Sequence, residues 1–123
     1  MITETKTHRV DPDITVFAIS GRLNLGNQLQ TVEQSIRDLI AGGVRKLVID
    51  LSELSSLDSS AIGMLVASGG RMNQAGGQMR LACAQGAVAK VFEMVHMDMI
   101  MPVDADVTVA CRGFSSGAAT AST

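Results

Sequence analysis

The sequence predicts a single α/β domain, and three observations predict it. The chain of 123 residues is long enough for one compact core and too short for two ordinary domains. Leu47-Val48-Ile49-Asp50-Leu51 is an apolar run of strand length broken only by Asp50, the mark of a parallel strand covered on both faces. Between it and an earlier apolar segment, Ile14–Ser20, apolar residues recur at helical spacing. Strands separated by helices imply stacked layers with right-handed crossovers.

Taken in order, Thr5–Val10 is short and polar and suits an edge strand. Asp11-Pro12-Asp13 supplies turn chemistry, since proline fixes φ and aspartate bonds its own backbone. Ile14–Ser20 is rich in β-branched residues and reads as a strand with both faces covered, punctuated by Gly21. Leu25, Leu29, Val32, Ile36, Leu39 and Ile40 then form one apolar stripe, predicting a helix over Leu25–Ala41 with Asn24 as N-cap and Gly42-Gly43 as its stop. After Leu47–Leu51, the Ser-rich stretch Ser52–Leu57 reads as a linker. A second helix runs from Asp58-Ser59-Ser60 to Gln74, and Gly69-Gly70 inside it requires either close packing on the sheet or an early end. Gly76-Gly77 stops it. Gln78–Ala84 reads as a strand, Ala87–Val95 as a short helix and Met99-Ile100-Met101 as the last strand. Asp104–Arg112 reads as a helix capped by Asp104, although Val107 and Val109 suit a strand. The segment from Gly113 to Thr123 has no charge and is almost entirely Gly, Ala, Ser and Thr, so the expected division is a domain over 1–112 and a disordered tail over 113–123.

Composition narrows the function. Apolar residues make up 46% and charged residues 18%, which excludes global disorder. Three Phe, no Trp and no Tyr leave few stacking platforms, and a net charge of −2 is the wrong sign for a phosphate-backbone binder, so no direct nucleic-acid contact is expected. Cys83 and Cys111 are too few for a disulfide scaffold and lack zinc spacing with His8 and His96. The first residues lack a signal-peptide core and no 18-residue apolar span occurs, so the chain reads as cytoplasmic, without membrane insertion.

The usual catalytic motifs are missing. There is no G-x-x-x-x-G-K-[ST], no G-x-S-x-G and no H-E-x-x-H, so no catalytic residue, metal ligand or cofactor site is assigned and the chain reads as a non-enzyme. His8 sits in a polar strand and reads as a solvated side chain. His96 follows the Val88–Val95 stretch, where a left-handed stop residue belongs. The methionines at 94, 97, 99 and 101 pass from helical to alternating spacing and read as core filling, with an adaptable partner surface as the alternative.

The informative segment is Val48-Ile49-Asp50-Leu51-Ser52-Glu53-Leu54-Ser55-Ser56-Leu57-Asp58-Ser59-Ser60-Ala61-Ile62-Gly63. It is a buried strand, a short exposed connection and a helix start bearing Asp-Ser-Ser. By local chemistry alone, Asp58 or Ser59 is the N-cap, and the free N–H groups there accommodate an added phosphate.

The segment resembles the signature of STAS domains, in which a V-x-D-L-S-like strand end leads to D-S-S-G-x-G at a helix start. The resemblance extends over most of residues 6–112, through Gly21-Arg22-Leu23, the helix Leu25–Ala41, the Gly76-Gly77 break, Met79–Ala84 and Val91-Phe92-Glu93-Met94. It implies a small α/β domain with a mixed sheet and helices mainly on one face. It also implies an anti-sigma factor antagonist that binds an anti-sigma factor that is also a Ser/Thr kinase. Phosphorylation of the first serine of Asp-Ser-Ser, here Ser59, ends that interaction. Asp58 and Ser60 flank the acceptor; with Ser59, Ala61 and Asn24, which lies in a loop used for partner contacts, they form the expected partner surface. The resemblance implies a monomer or weak dimer.

Three departures accompany it. Ala61 stands where Gly is usual, Arg22 and Asn24 replace a more acidic pair, and His96 replaces a common Gly. The lost negative charge bears on the partner's electrostatic fit. It motivates an alternative, a STAS module in a stress-signalling scaffold or transporter-associated complex without phospho-switching. A receiver-like role for Asp50 lacks its acidic pair, since Ile14–Ser20 ends in Ile19-Ser20-Gly21, and lacks a late-strand lysine.

Overall fold

The computed structural model describes residues 3–121, with side chains through Phe114. The first strand, β1 (Glu4–Asp11), is exposed along its whole length and pairs antiparallel with β2 (Ile14–Leu23), as its polar sequence predicts for an edge. The strand β3 (Lys46–Asp50) lies between β2 and β5 (Gln78–Ala82), parallel to both. The short strand β6 (Val103–Asp104) extends the sheet beyond β5. Continuous apolar character in β3 thus has its cause: Leu47 and Ile49 face one layer, Val48 the other, and all three are fully buried.

Three helices cover the first face: α1 (Asn27–Ala41), α2 (Ser59–Gln74) and α3 (Gly86–Met94). Their core residues include Val32, Ile36, Leu65, Met72, Val88 and Phe92, packed against Phe17, Ile19, Leu47, Ile49 and Leu81. The fourth helix, α4 (Val107–Ala121), covers the other face, with Ala110 and Phe114 against Ile14, Val16, Val48 and Ala82. This is the expected α/β architecture with helices mainly on one face of a mixed sheet.

Several elements differ from the sequence reading. Asn24 is not the cap of α1: Gly26, at φ 146, stands there, and Leu25 lies on the preceding loop at 75% exposure instead of on the apolar stripe. The serine-rich connection contains a strand, β4 (Leu54–Leu57), that pairs parallel with Gly21–Leu23 of β2. Gly21 does not end β2 but bends it: at φ 88 it shifts the register, and the strand changes partner from β3 to β4. Met99-Ile100-Met101 is not the last strand: Met97–Met99 forms a 3-10 turn, Met97 and Met101 both insert into the core at helical spacing, and the last strand is β6. Strand pairing resumes only after Pro102, whose carbonyl accepts from the Leu81 N–H at 2.9 Å. Asp106 rather than Asp104 caps α4, accepting from the Val109 N–H at 2.8 Å. Asp104 pairs instead with Arg80. The expected tail begins inside α4, since Gly113 and Phe114 are helical and Phe114 is buried. Ser122 and Thr123, its last two residues, lie outside the described residues.

Of the glycine pair in α2, only Gly69 has close packing as its reason, and the helix does not end early at Gly70 but runs on to Gln74. A Cβ on Gly69 would stand 2.7 Å from Met101 Cε, so the helix approaches closely there, whereas Gly70 faces open space. His96 adopts the expected left-handed conformation at φ 54, ψ 49. The methionines divide: Met97 and Met101 fill the core, while Met94 and Met99 are exposed.

Candidate functional site

The site is built where β4 runs into α2. Leu54 and Leu57 bury themselves in the core, and pairing with β2 carries the chain straight to Asp58. The Asp58 N–H donates to the Leu23 carbonyl at 3.2 Å, fixing the approach. Asp58 then adopts an extended conformation as N-cap of α2, and its Oδ1 accepts from the Ala61 N–H at 3.0 Å. Ser59 follows as the first helical residue and is exposed; Ser60 is half-buried.

The second Asp58 oxygen does something local sequence does not announce. Oδ2 accepts from the Leu25 N–H at 2.9 Å, binding the Asn24–Gly26 loop to the start of α2 across 33 residues of chain. Asn24, exposed, lies between Leu23 and Leu25, the two residues that hydrogen-bond Asp58 through their backbone. The Leu25 N–H, and after it the Ala61 N–H, hold the Asp58 carboxyl below the usual aspartate range. Arg22, Asn24, Leu25, Gly26, Asn27 and Gln28 line a surface hollow of about 340 Å³ on that loop.

Ala61 corrects the expected partner surface. Its side chain is fully buried in the core, so it offers a partner nothing to touch; its contribution is the N–H given to Asp58. An inward-facing methyl fits the start of a packed helix, where alanine is also a better helix former than glycine by up to about 1 kcal/mol. Leu25 was missed as a site residue because its spacing continues the α1 stripe. Gly26, only one residue further on, was the readable sign that the helix had not begun.

Two other groups of chemical interest lie elsewhere. Cys83 is half-buried at φ 66, and burial, followed by the charge of Asp50, pushes its thiol up. Asp50 itself closes the end of β3, its Oδ1 accepting from the Ser52 N–H at 3.0 Å. Among the described residues no group of three or more His, Cys, Asp or Glu could hold a metal ion, and no helix is long and apolar enough to cross a membrane.

The strand, connection and capped Asp-Ser-Ser start have a match beyond this chain: a family model described as the STAS domain covers residues 5–110. The chain belongs to the STAS domain family. Several solved structures share its fold. An anti-sigma factor antagonist from Mycobacterium paratuberculosis superposes with a TM-score of 0.83 at 20% identity, over 93% of this chain and 95% of that one. The phosphorylated form of the Bacillus cell fate determinant SpoIIAA gives 0.69 at 21% identity, over 89% and 97%. The murine anion transporter Slc26a9 gives 0.69 at 16% identity, over 85% of this chain but 18% of the transporter. The STAS fold here is therefore that of the anti-sigma factor antagonists, and it also occurs as a small part of a transporter.

Proposed function

We propose that this STAS domain is an anti-sigma factor antagonist that binds an anti-sigma factor with Ser/Thr kinase activity and is released by phosphorylation of Ser59. The supporting observation is the position of Ser59: exposed, first in α2, and next to the pinned Asn24–Gly26 loop. A kinase reaches such a hydroxyl without unfolding anything. The phosphate adds about −1.5 to −2 charge, and the positive end of a 16-residue helix accommodates it. The domain therefore survives modification, while a partner surface facing Ser59 meets repulsion and an unfavourable desolvation. Asn24, Asp58, Ser59 and Ser60 form the contact surface. The domain acts by binding, with no turnover of its own; mixed with ATP and Mg²⁺ it neither hydrolyses the nucleotide nor labels itself.

The test is a pulldown of the unphosphorylated domain from its own cell extract, followed by kinase labelling of three variants. Ser59→Ala is expected to bind without being labelled, and Ser59→Glu to bind poorly while melting near the wild type. Ser60→Ala remains labelled. Labelling that survives Ser59→Ala and vanishes in Ser60→Ala moves the acceptor by one residue. Absence of labelling at both positions leaves the scaffold or transporter-associated module as the reading.

A further inference from the structure

The end of α3 and the turn after it carry an apolar surface that the Ser59 site does not use. Seven large apolar side chains are exposed among the described residues, and four of them, Met94, Val95, Met99 and Ile100, fall within Met94–Ile100. Met94 is 77% and Met99 83% exposed, although Met97 and Met101 in the same stretch lie in the core. Clustered apolar exposure of this kind marks a contact site, and methionine adapts its shape to what it meets. Beside it lies a hollow of about 500 Å³, with Phe92, Ala84, Ala89 and Val103 as its apolar lining and Glu93, His96 and Asp98 exposed around it. The charge there has one sign. From Val91 to Cys111 the chain has Glu93, Asp98, Asp104 and Asp106 and no Lys or Arg. Arg80 takes Asp104, and Asp106 caps α4. Among the described residues neither Glu93 nor Asp98 makes an ion pair. Lys90, one turn before Met94, is the single cation of α3.

We propose that this surface docks a cationic amphipathic helix of a partner protein, with an apolar anchor of that helix entering the hollow against Phe92 and its Lys or Arg side chains meeting Glu93 and Asp98. The proposal is independent of the reading of Ser59. Charge decides among the occupants. A second copy related by two-fold symmetry would set Glu93 and Asp98 against their own like charges. An anionic lipid surface or a nucleic acid would meet the same repulsion. A partner strand finds little to pair with, since β6, the outer strand on this side of the sheet, is only Val103–Asp104. A helix needs no backbone partner: the methionines meet its apolar face and the two carboxylates its flanking cations.

The experiment is an NMR titration of the isotope-labelled domain with a synthetic helix about 18 residues long, leucine on one face and lysine on the other. Beside it run a scrambled peptide of the same composition, a peptide with glutamate for lysine, and vesicles containing phosphatidylserine. Only the first peptide is expected to bind, with amide shifts concentrated at Phe92–Ile100, Ala84 and Ala89. Met99→Gln, at an exposed position that leaves melting unchanged, is expected to weaken binding about tenfold. Glu93→Gln and Asp98→Asn together weaken it about threefold to tenfold at low salt, and by less as salt is added. Equal binding of the scrambled peptide reduces the surface to a net-charge effect and overturns the proposal. So does binding of the glutamate peptide or of the vesicles, a set of shifts confined to other faces, or a Met99→Gln variant that binds as the wild type does. Self-association of the domain that Met99→Gln abolishes, measured by sedimentation, assigns the surface to a second copy and overturns it too.

Discussion

Replacing Gly113 by alanine tests where the domain ends. A Cβ there would overlap Cζ and Nη2 of Arg80 and stand 2.6 Å from its Nε. The guanidinium has little freedom to retreat. Its Nε and Nη2 donate to Asp104 at 2.9 and 3.2 Å, Nη1 donates to Gln78 Oε1 at 3.1 Å, and Cζ lies 5.7 Å from the Phe114 ring centroid. The two charged side chains are only 13% and 12% exposed. Removing one partner of a buried pair costs about 3–5 kcal/mol; displacing Arg80 forfeits part of that, about 2–4 kcal/mol. Helix propensity returns about 1 kcal/mol for glycine to alanine, leaving a net loss of about 1–3 kcal/mol. At about 4 °C per kcal/mol for a domain of this size, Tm falls by roughly 4–12 °C. Urea or thermal unfolding of Gly113→Ala, Arg80→Ala and the double variant closes the cycle. In the Arg80→Ala background the clash is gone, and Gly113→Ala is expected to stabilise by about 0.5–1 kcal/mol. Stabilisation by Gly113→Ala in the otherwise native chain refutes the packing of α4 on Arg80 and returns the domain boundary to 112.

The other glycines make a paired test. Gly70→Ala, facing open space on α2, is expected to stabilise by about 0.5–1 kcal/mol, whereas Gly77→Ala drives a Cβ into the Arg45 carbonyl oxygen and to 2.8 Å from Arg45 Cα, and is expected to cost more than about 2 kcal/mol by equilibrium unfolding. The Asp58 carboxyl, lowered by the Leu25 and Ala61 N–H groups, contributes stability that is complete above the ordinary aspartate value of 3.8 and is lost as pH falls from there through its folded value. An NMR titration is expected to place its midpoint below 3.8, with exchange at the Leu25 amide rising as it protonates; a midpoint at or above 3.8 contradicts the two hydrogen bonds. Cys83 and Cys111, both raised above 9.0 mainly by burial, are expected to alkylate more slowly at pH 8 than a free thiol, and fast modification of either at that pH refutes their placement. Ser59→Glu is expected to separate binding from melting, losing the first and keeping the second; loss of both makes Ser59 structural.

The elements that the sequence determined by itself are those specified by neighbours in the chain. The buried residues Leu29, Val32 and Ile36 repeat at the helical period, and α1 forms around them; Leu47, Val48 and Ile49 leave no polar face, and β3 is central. Asp58 three residues before Ala61 is a cap by geometry, so the start of α2 and the exposure of Ser59 were legible from one short segment. The left-handed turn at His96 belongs to the same class. Tertiary structure alone decided the rest. Ser52–Leu57 holds a strand because the bulge at Gly21 turns β2 toward it, and a partner strand is not a property of four residues that include two serines. Leu25 leaves the helical stripe because its N–H is taken by a carboxylate 33 residues away. Ala61 turns inward because the sheet lies beneath α2. The segment after 112, poor in charge and in large side chains, is helical because Phe114 fills a gap over Val48 and Ala82 and Gly113 admits the Arg80 guanidinium. Periodicity records which face of an element is apolar. Which faces then meet, and which hydrogen bonds cross between them, is set only when the layers close.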